Sequence, residues 1–191
     1  MHRLILIGSR AAGKTSVGRL VAASRSVPFA DLDDRAIALA GGGSIAVFFE
    51  MHGEAAWRSL ERRAFAAALD GGLDRSPDSI EPARVIALGG GAVTVPEIRD
   101  GLEAGRRDGS LRVAWLSAPV ATLSARLEAD PGDRRSLTGR GVAEETGDLL
   151  ARREPLYRRL ADREFPTADR PVATVAAEIG AWLDAIAFPL S

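Results

Sequence analysis

The sequence predicts an α/β fold in which a parallel sheet lies between helices on both faces, and two observations carry that reading. Short apolar runs alternate with stretches of helical periodicity from residue 2 to 128, the pattern of successive strand–helix–strand units. Glycine-rich turns follow two of the apolar runs directly, at Gly8 and at Gly89, on the edge where parallel sheets bind ligands. A chain of 191 residues with 46% hydrophobic residues can bury one good core, so a single domain is expected.

Composition excludes several function classes. A net charge of -1 leaves no global basic field for nucleic acid, so any anion recognition must be local. Without cysteine there is no disulfide, thiolate metal site or cysteine nucleophile. No apolar run approaches the roughly 18 residues a membrane span needs. The expectation is a soluble, cytoplasmic monomer that binds neither nucleic acid nor membrane.

Leu4-Ile5-Leu6-Ile7 reads as a buried strand, and Gly8-Ser9-Arg10-Ala11-Ala12-Gly13-Lys14-Thr15 follows it with the spacing G-x-x-x-x-G-K-[ST]. Those glycines let the backbone wrap so that successive N–H groups around Ala11, Ala12, Gly13, Lys14, Thr15 and Ser16 point at a polyphosphate. Lys14 would reach the β- and γ-phosphates, and the Thr15 hydroxyl would ligate Mg²⁺. Lys14 is the only lysine of the chain. With Gly and Ser plus Thr each near one residue in ten, chance placement of both glycines and the threonine around it has odds of roughly 10⁻³.

Val17, Leu20, Val21 and Ser24 extend the loop into a helix over 14 to about 24 whose N-terminus faces the phosphates. Phe29-Ala30-Asp31-Leu32-Asp33-Asp34 is a short strand running into acids, which either line a site or cap a helix beginning near Arg35. Gly41, Gly42 and Gly43 with Ser44 form a turn and N-cap for a short apolar helix over 45–49. From Glu54 to Leu69, Trp57, Leu60, Ala64, Ala67 and Ala68 make an apolar stripe. Arg58 and Glu61 stand three apart on an adjacent face, a spacing usual for a solvated surface pair. Gly, Asp, Ser and Pro over 70–82 mark an exposed loop.

Val85-Ile86-Ala87-Leu88 is a second buried strand, and Gly89-Gly90-Gly91 after it allows backbone to approach a ligand closely. Pro96 opens a helix to about Ala104, Leu111 to Leu116 form another strand, and Pro119 opens a helix to about Leu127. Residues 129–142, polar and rich in glycine with three arginines, read as a lid. In the helix that follows, Leu149, Arg153, Leu156, Tyr157 and Leu160 share one stripe, and an arginine there needs an anionic partner. Pro155 predicts a kink or a new helix start near Glu154. A last strand over 163–166 and a closing helix over 172–187 complete the chain.

Beyond the phosphate loop, Asp31-x-Asp33, Arg58 within Trp57-Arg58-Ser59-Leu60-Glu61, Gly89-Gly90-Gly91-Ala92-Val93, Arg135 in the lid and Arg153-Glu154-Pro155-Leu156-Tyr157 occur in that order. The set resembles the shikimate kinase family over nearly the whole chain. That resemblance implies a P-loop kinase fold, a five-stranded parallel sheet of nucleoside-monophosphate-kinase type, as one domain over 1–191 with a substrate-binding insertion at about 33–62 and the lid at about 129–142. It implies transfer of a phosphoryl group from ATP, with Mg²⁺, to the 3-hydroxyl of shikimate. By the same resemblance Asp33 binds the acceptor hydroxyls and takes the proton, and Asp31 lies near Mg²⁺. Arg58 and Arg153 hold the substrate carboxylate, Gly89, Gly90 and Gly91 line the substrate pocket, Arg135 reaches the phosphates, and Arg126 and Arg170 stand on the adenine side.

Two rivals stay open: a kinase for another small hydroxy acid such as gluconate, and a catalytically silent nucleotide or metabolite sensor. Asp31-x-Asp33 combined with Gly89-Gly90-Gly91 favours shikimate, and Lys14, Thr15, Asp33 and Arg135 together speak against the sensor. The lid departs from the family's Arg-Pro, carrying Arg134-Arg135-Ser136 instead, so either arginine could face the phosphates. If Arg135 does, Arg135→Ala slows turnover by orders of magnitude and Arg134→Ala is nearly silent. Steady-state rates of the two variants decide, and the reverse result moves the role by one residue.

Overall fold

Leu4, Ile5, Leu6 and Ile7 are all buried, as a central strand must be when helices cover both faces of its sheet. The computed structural model describes residues 2–70, 83–130 and 141–190. Of the loop expected at 70–82, Asp70 ends a helix and 71–82 lie outside the described residues, as does most of the expected lid, with Arg134 and Arg135. Among those described, the strands are β1 (Arg3–Ile7), β2 (Phe29–Asp31), β3 (Val85–Ala87), β4 (Leu111–Ser117) and β5 (Arg163–Pro166). The helices are α1 (Lys14–Ser24), α2 (Leu32–Leu39), α3 (Ile45–Asp70), α4 (Pro96–Arg107), α5 (Val120–Ala129), α6 (Val142–Leu160) and α7 (Val172–Ala185), with a 3₁₀ turn at Ala92–Thr94.

The strands form one sheet in the order β2-β3-β1-β4-β5, every neighbouring pair parallel. Successive side chains of β1 point to opposite faces. Ile5 and Ile7 join Ile86, Val113 and Trp115 under α2, α3, α4 and α6, while Leu4 and Leu6 join Val85, Ala114 and Leu116 under α1, α5 and α7. The chain runs from β1 out to the edge strand β2, returns to β3 and then crosses β1 to β4 on the other side, so the strand order reverses at the C-terminal end of β1 and β3. Among the described residues no helix is long and apolar enough to cross a membrane.

Several element ends differ from the sequence expectation for local reasons. β2 stops at Asp31 and α2 begins at Leu32, because the Asp31 carboxylate accepts the Asp33 N–H at 3.0 Å and turns the chain into a helix before Arg35. Ser44 caps α3 as expected, its hydroxyl accepting the Val47 N–H at 3.4 Å. Gly53, at φ 77° and ψ 176°, breaks α3 between the two helical stretches that the periodicity separates. Pro155 does not start a new helix: α6 is continuous over Val142–Leu160. The fully buried Tyr157 and Leu160 hold the segment down, and helical hydrogen bonding continues beyond the proline with Ala161 N–H to Tyr157 O at 3.0 Å.

Two helical glycines test this packing in opposite directions. Replacing a helical glycine by alanine ordinarily gains up to about 1 kcal/mol. At Gly147 in α6 the nearest atom to an added Cβ is Val120 Cγ1 at 3.9 Å, so Gly147→Ala should raise stability. At Gly105 in α4 the Cβ would drive into Leu111 Cγ, which is buried and cannot retreat; overpacking of about 1–3 kcal/mol outweighs the helical gain. Denaturant unfolding should therefore place Gly147→Ala above and Gly105→Ala below the parent.

Candidate active site

The loop between β1 and α1 has the backbone a phosphate cradle needs. Gly8 takes φ 141°, and a Cβ on it would strike the carbonyl of Leu116 on β4, so only glycine lets the loop leave the sheet here. Ala11 (φ 57°) and Gly13 (φ 89°) are both left-handed, and Gly13 is the N-cap of α1 without a side-chain partner. The first N–H groups of α1 therefore face the loop's concavity. Lys14, only 9% exposed, lies across it and donates from Nζ to Gly8 O at 2.9 Å and Ser9 O at 2.7 Å.

Next to the cradle, the Thr15 hydroxyl donates to Asp31 Oδ2 at 2.6 Å. Asp31 thus does both things its sequence position allowed, capping α2 with one oxygen and meeting Thr15 with the other. Among the described residues no group of three or more His, Asp or Glu forms a self-contained metal cage. A hydroxyl and a carboxylate beside a phosphate cradle are a hard-oxygen pair suited to Mg²⁺, which binds through one or two protein oxygens together with substrate phosphates.

The cradle opens into a cleft of about 690 Å³ that continues past Asp33 to Gly90 on one side and to Arg126 and Arg170 on the other. Arg126, on α5, donates to Ala11 O at 3.2 Å and to Thr167 O at 2.7 Å, which ties the phosphate loop to the β5–α7 connection. Arg170 donates to Pro166 O at 3.0 Å and pairs with Glu178. Thr167, buried beneath Arg126, lines the same end of the cleft; a lone threonine after a short strand carried no sequence signal.

On the other side the glycine turn and α3 meet. A Cβ on Gly89 would run into Asp33 Oδ1 and Glu61 Oε1, and one on Gly91 into the Arg58 guanidinium. Arg58 Nη1 donates to Glu61 Oε2 at 2.5 Å, and Nη2 donates to Glu54 Oε1 at 2.8 Å. The Arg58–Glu61 pair is not the solvated surface pair its spacing predicts: the Glu61 side chain is 1% exposed, because the turn at Gly89 closes over it. Burial pushes the Glu61 carboxyl up, and the Arg58 and Arg153 guanidinia bring it only partly back. Burial pulls Arg58 down, but Glu61 and Glu54 outweigh it and leave its pKa above the ordinary value. Arg153, half-buried on α6, also lowers the pKa of this carboxylate through its charge, so Arg58 and Arg153 lie within electrostatic reach of one acid. Arg10, an unspecified position of the loop motif, also lines the cleft; burial lowers its pKa, with the buried Glu145 opposing and Arg153 adding.

A five-stranded parallel sheet with the G-x-x-x-x-G-K-T loop between its central strand and the next helix makes this a P-loop kinase fold. Comparison with known proteins narrows the class. The family model described as "Shikimate kinase" matches residues 10–184. A shikimate kinase of Nitratidesulfovibrio vulgaris is 37% identical over 183 residues, covering 95% of each chain, and one of Stenotrophomonas maltophilia is 39% identical over 177 residues, covering 92% of this chain and 88% of that one. The solved structure of an Acinetobacter baumannii shikimate kinase in complex with shikimate superimposes with a TM-score of 0.82 at 27% identity, over 97% of this chain and 94% of that one. The chain belongs to the shikimate kinase family.

The raised Glu61 pKa has a sign that stability measurements can read. An acid whose folded pKa lies above its unfolded value binds protons on folding, so its contribution is full below about pH 4.3 and is lost as pH rises through the folded value. The stability of the parent minus that of Glu61→Gln should therefore fall as pH is raised from about 4.3. Urea unfolding of both proteins across that range checks it, and a difference that grows with pH would contradict the assignment.

Proposed function

We propose that the protein transfers the γ-phosphoryl group of ATP to the 3-hydroxyl of shikimate, giving shikimate 3-phosphate and ADP. The observation that carries this reading is the grouping of Asp33, Arg58 and Glu61 around the glycine turn, with Arg153 acting on Glu61, beside the cleft of the phosphate loop that Asp33 and Gly90 line. A planar carboxylate on the acceptor matches a guanidinium fork, which lysine could not reproduce. Arg58 has the capacity for it: of its five N–H donors, three are spent on Glu54 and Glu61, leaving one N–H on each terminal nitrogen.

Phosphoryl transfer asks for placement and charge neutralisation more than covalent chemistry from the protein. Asp33 takes the proton of the acceptor hydroxyl as its oxygen bonds to phosphorus and the bond to the ADP leaving group breaks. Lys14 and the lid arginine, Arg135, offset the charge spread over the transferring group. Thr15 and Asp31 would hold Mg²⁺, which when bound neutralises charge between the β- and γ-phosphates. Arg126 and Arg170 flank the adenine, with the loop from Ala11 to Ser16 around the phosphates. The reaction belongs in the cytoplasm, with a single chain supplying every group named.

An acceptor screen with shikimate and gluconate, followed by ADP release, tests the substrate. The carboxylate clamp is tested with an analogue whose carboxylate is a neutral amide. Losing one charge-assisted bond to a buried anion costs about 1.5–3 kcal/mol, roughly tenfold or more in affinity. Arg58→Ala and Arg153→Ala should each weaken shikimate binding by at least about tenfold, spare ATP, and lose most of the parent's preference for acid over amide. A parent that binds acid and amide equally well would sink the clamp and the shikimate assignment with it.

A further inference from the structure

Tyr157 belongs to the motif Arg153-Glu154-Pro155-Leu156-Tyr157, yet the chemistry above gives it no task. Its ring is fully buried, stacked on Trp115 of β4 with centroids 6.1 Å apart, in a place that phenylalanine would fill equally well. The hydroxyl is a different matter, because a buried phenol must find a partner to offset its lost water. It donates to Gly90 O at 2.5 Å, across 67 positions of the chain. Burial pushes the phenol pKa up, while its neighbours Arg153, chiefly through its charge, and Ser9 oppose the shift.

Those partners belong to three different pieces of the site. Ser9 is in the phosphate loop, Gly90 is the middle of the glycine turn, and Arg153 stands one helical turn before Tyr157 on the same face of α6. The glycine turn touches both halves of the cleft. A Cβ on Gly90 would lie 3.2 Å from Arg10 N of the phosphate loop, whereas those on Gly89 and Gly91 would meet Asp33 and Arg58. Three successive glycines have little preference for one backbone course. Within the turn, Ala92 N–H bonds Gly89 O at 3.0 Å and Thr94 N–H bonds Gly91 O at 2.9 Å, whereas Gly90 O takes its partner from outside, and among the described contacts to Gly90 the phenol is the side chain that holds it.

We propose that Tyr157 is a positioning residue: its hydroxyl pins the Gly89–Gly91 turn between the phosphate loop and α6, and so sets the acceptor's distance and angle to the γ-phosphate. This rests on the kinase reading above only for its kinetic consequence; the pinning itself is a property of the protein alone. Misplacement of the acceptor costs the transition state more than it costs binding.

The test compares Tyr157→Phe, which keeps the ring and removes the hydroxyl, with Trp115→Phe, which thins the packing beneath the ring and keeps the hydroxyl. Removing one bond to a buried acceptor should lower kcat for shikimate about tenfold, with KM for shikimate and for ATP each within about threefold. Hydrogen exchange of the peptide spanning 88–94 should accelerate in Tyr157→Phe and stay at the parent rate in Trp115→Phe, which should melt earlier but turn over normally. A Tyr157→Phe kcat within twofold of the parent, an unchanged exchange rate at 88–94, or an equal kcat loss in Trp115→Phe overturns the proposal. If the parent itself does not phosphorylate shikimate, the functional reading falls, and the exchange comparison alone decides whether the hydroxyl pins the turn.

Discussion

The acceptor side of the cleft depends on one buried negative charge. Arg58 and Arg153 both act on the buried Glu61 carboxylate, and two guanidinia brought near each other without a counter-charge would repel. Glu61, at 1% exposure, accepts from Arg58 Nη1 at 2.5 Å, and the upward push on its own pKa records what its burial costs. The buried carboxylate thereby keeps Arg58 aimed. On the proposed reading, an incoming carboxylate would meet an Arg58 guanidinium whose orientation is already fixed.

That charge can be buried only because of where the sheet puts the elements. β3 lies between β2 and β1, so the Asp31–Asp33 corner, the glycine turn and the phosphate loop emerge side by side at one edge. α3 packs over the same edge, its Trp57, Leu60, Ala64 and Phe65 in the core beneath α2 and α4. Glu61 follows Leu60 on that inner face and is carried under the turn by the hydrophobic packing rather than by attraction to Arg58. Charge placement at this site is thus a consequence of apolar burial, because four large or close-packed side chains removed from water outweigh one ion pair that must itself be desolvated.

How much of this was legible in the sequence follows the same physics. The phosphate loop, the parallel sheet and the order of strands and helices could be read because phosphate chemistry needs fixed spacing and burial imposes a period. The burial of Glu61 could not. An Arg/Glu pair three apart on a helix has the same spacing on a surface or in a cleft, and the turn that covers it comes from Gly89, 28 residues away. Arg10 was hidden for the opposite reason, since it occupies an unspecified position inside a motif whose meaning rests on its other residues. Of the two outcomes Pro155 allowed, a new helix start does not occur, because buried Tyr157 and Leu160 hold the helix through it.

The distribution of cations makes a last point about the phosphate loop. The chain carries 25 basic residues of the Lys and Arg types, and Lys14 is the one lysine among them. Wherever the described cations pair with carboxylates or span several carbonyls, as Arg58, Arg106 and Arg126 do, a planar fork with several donors fits the task. Lys14 works in a tighter place, its Nζ 2.9 Å from Gly8 O and 2.7 Å from Ser9 O inside the curl of its own loop. A guanidinium is too wide and too rigid to turn back on those two carbonyls and still present charge to a phosphate. A compact ammonium on a flexible stem does both. The exception in an otherwise all-arginine set of side chains thus marks the position where geometry, rather than charge alone, selects the residue.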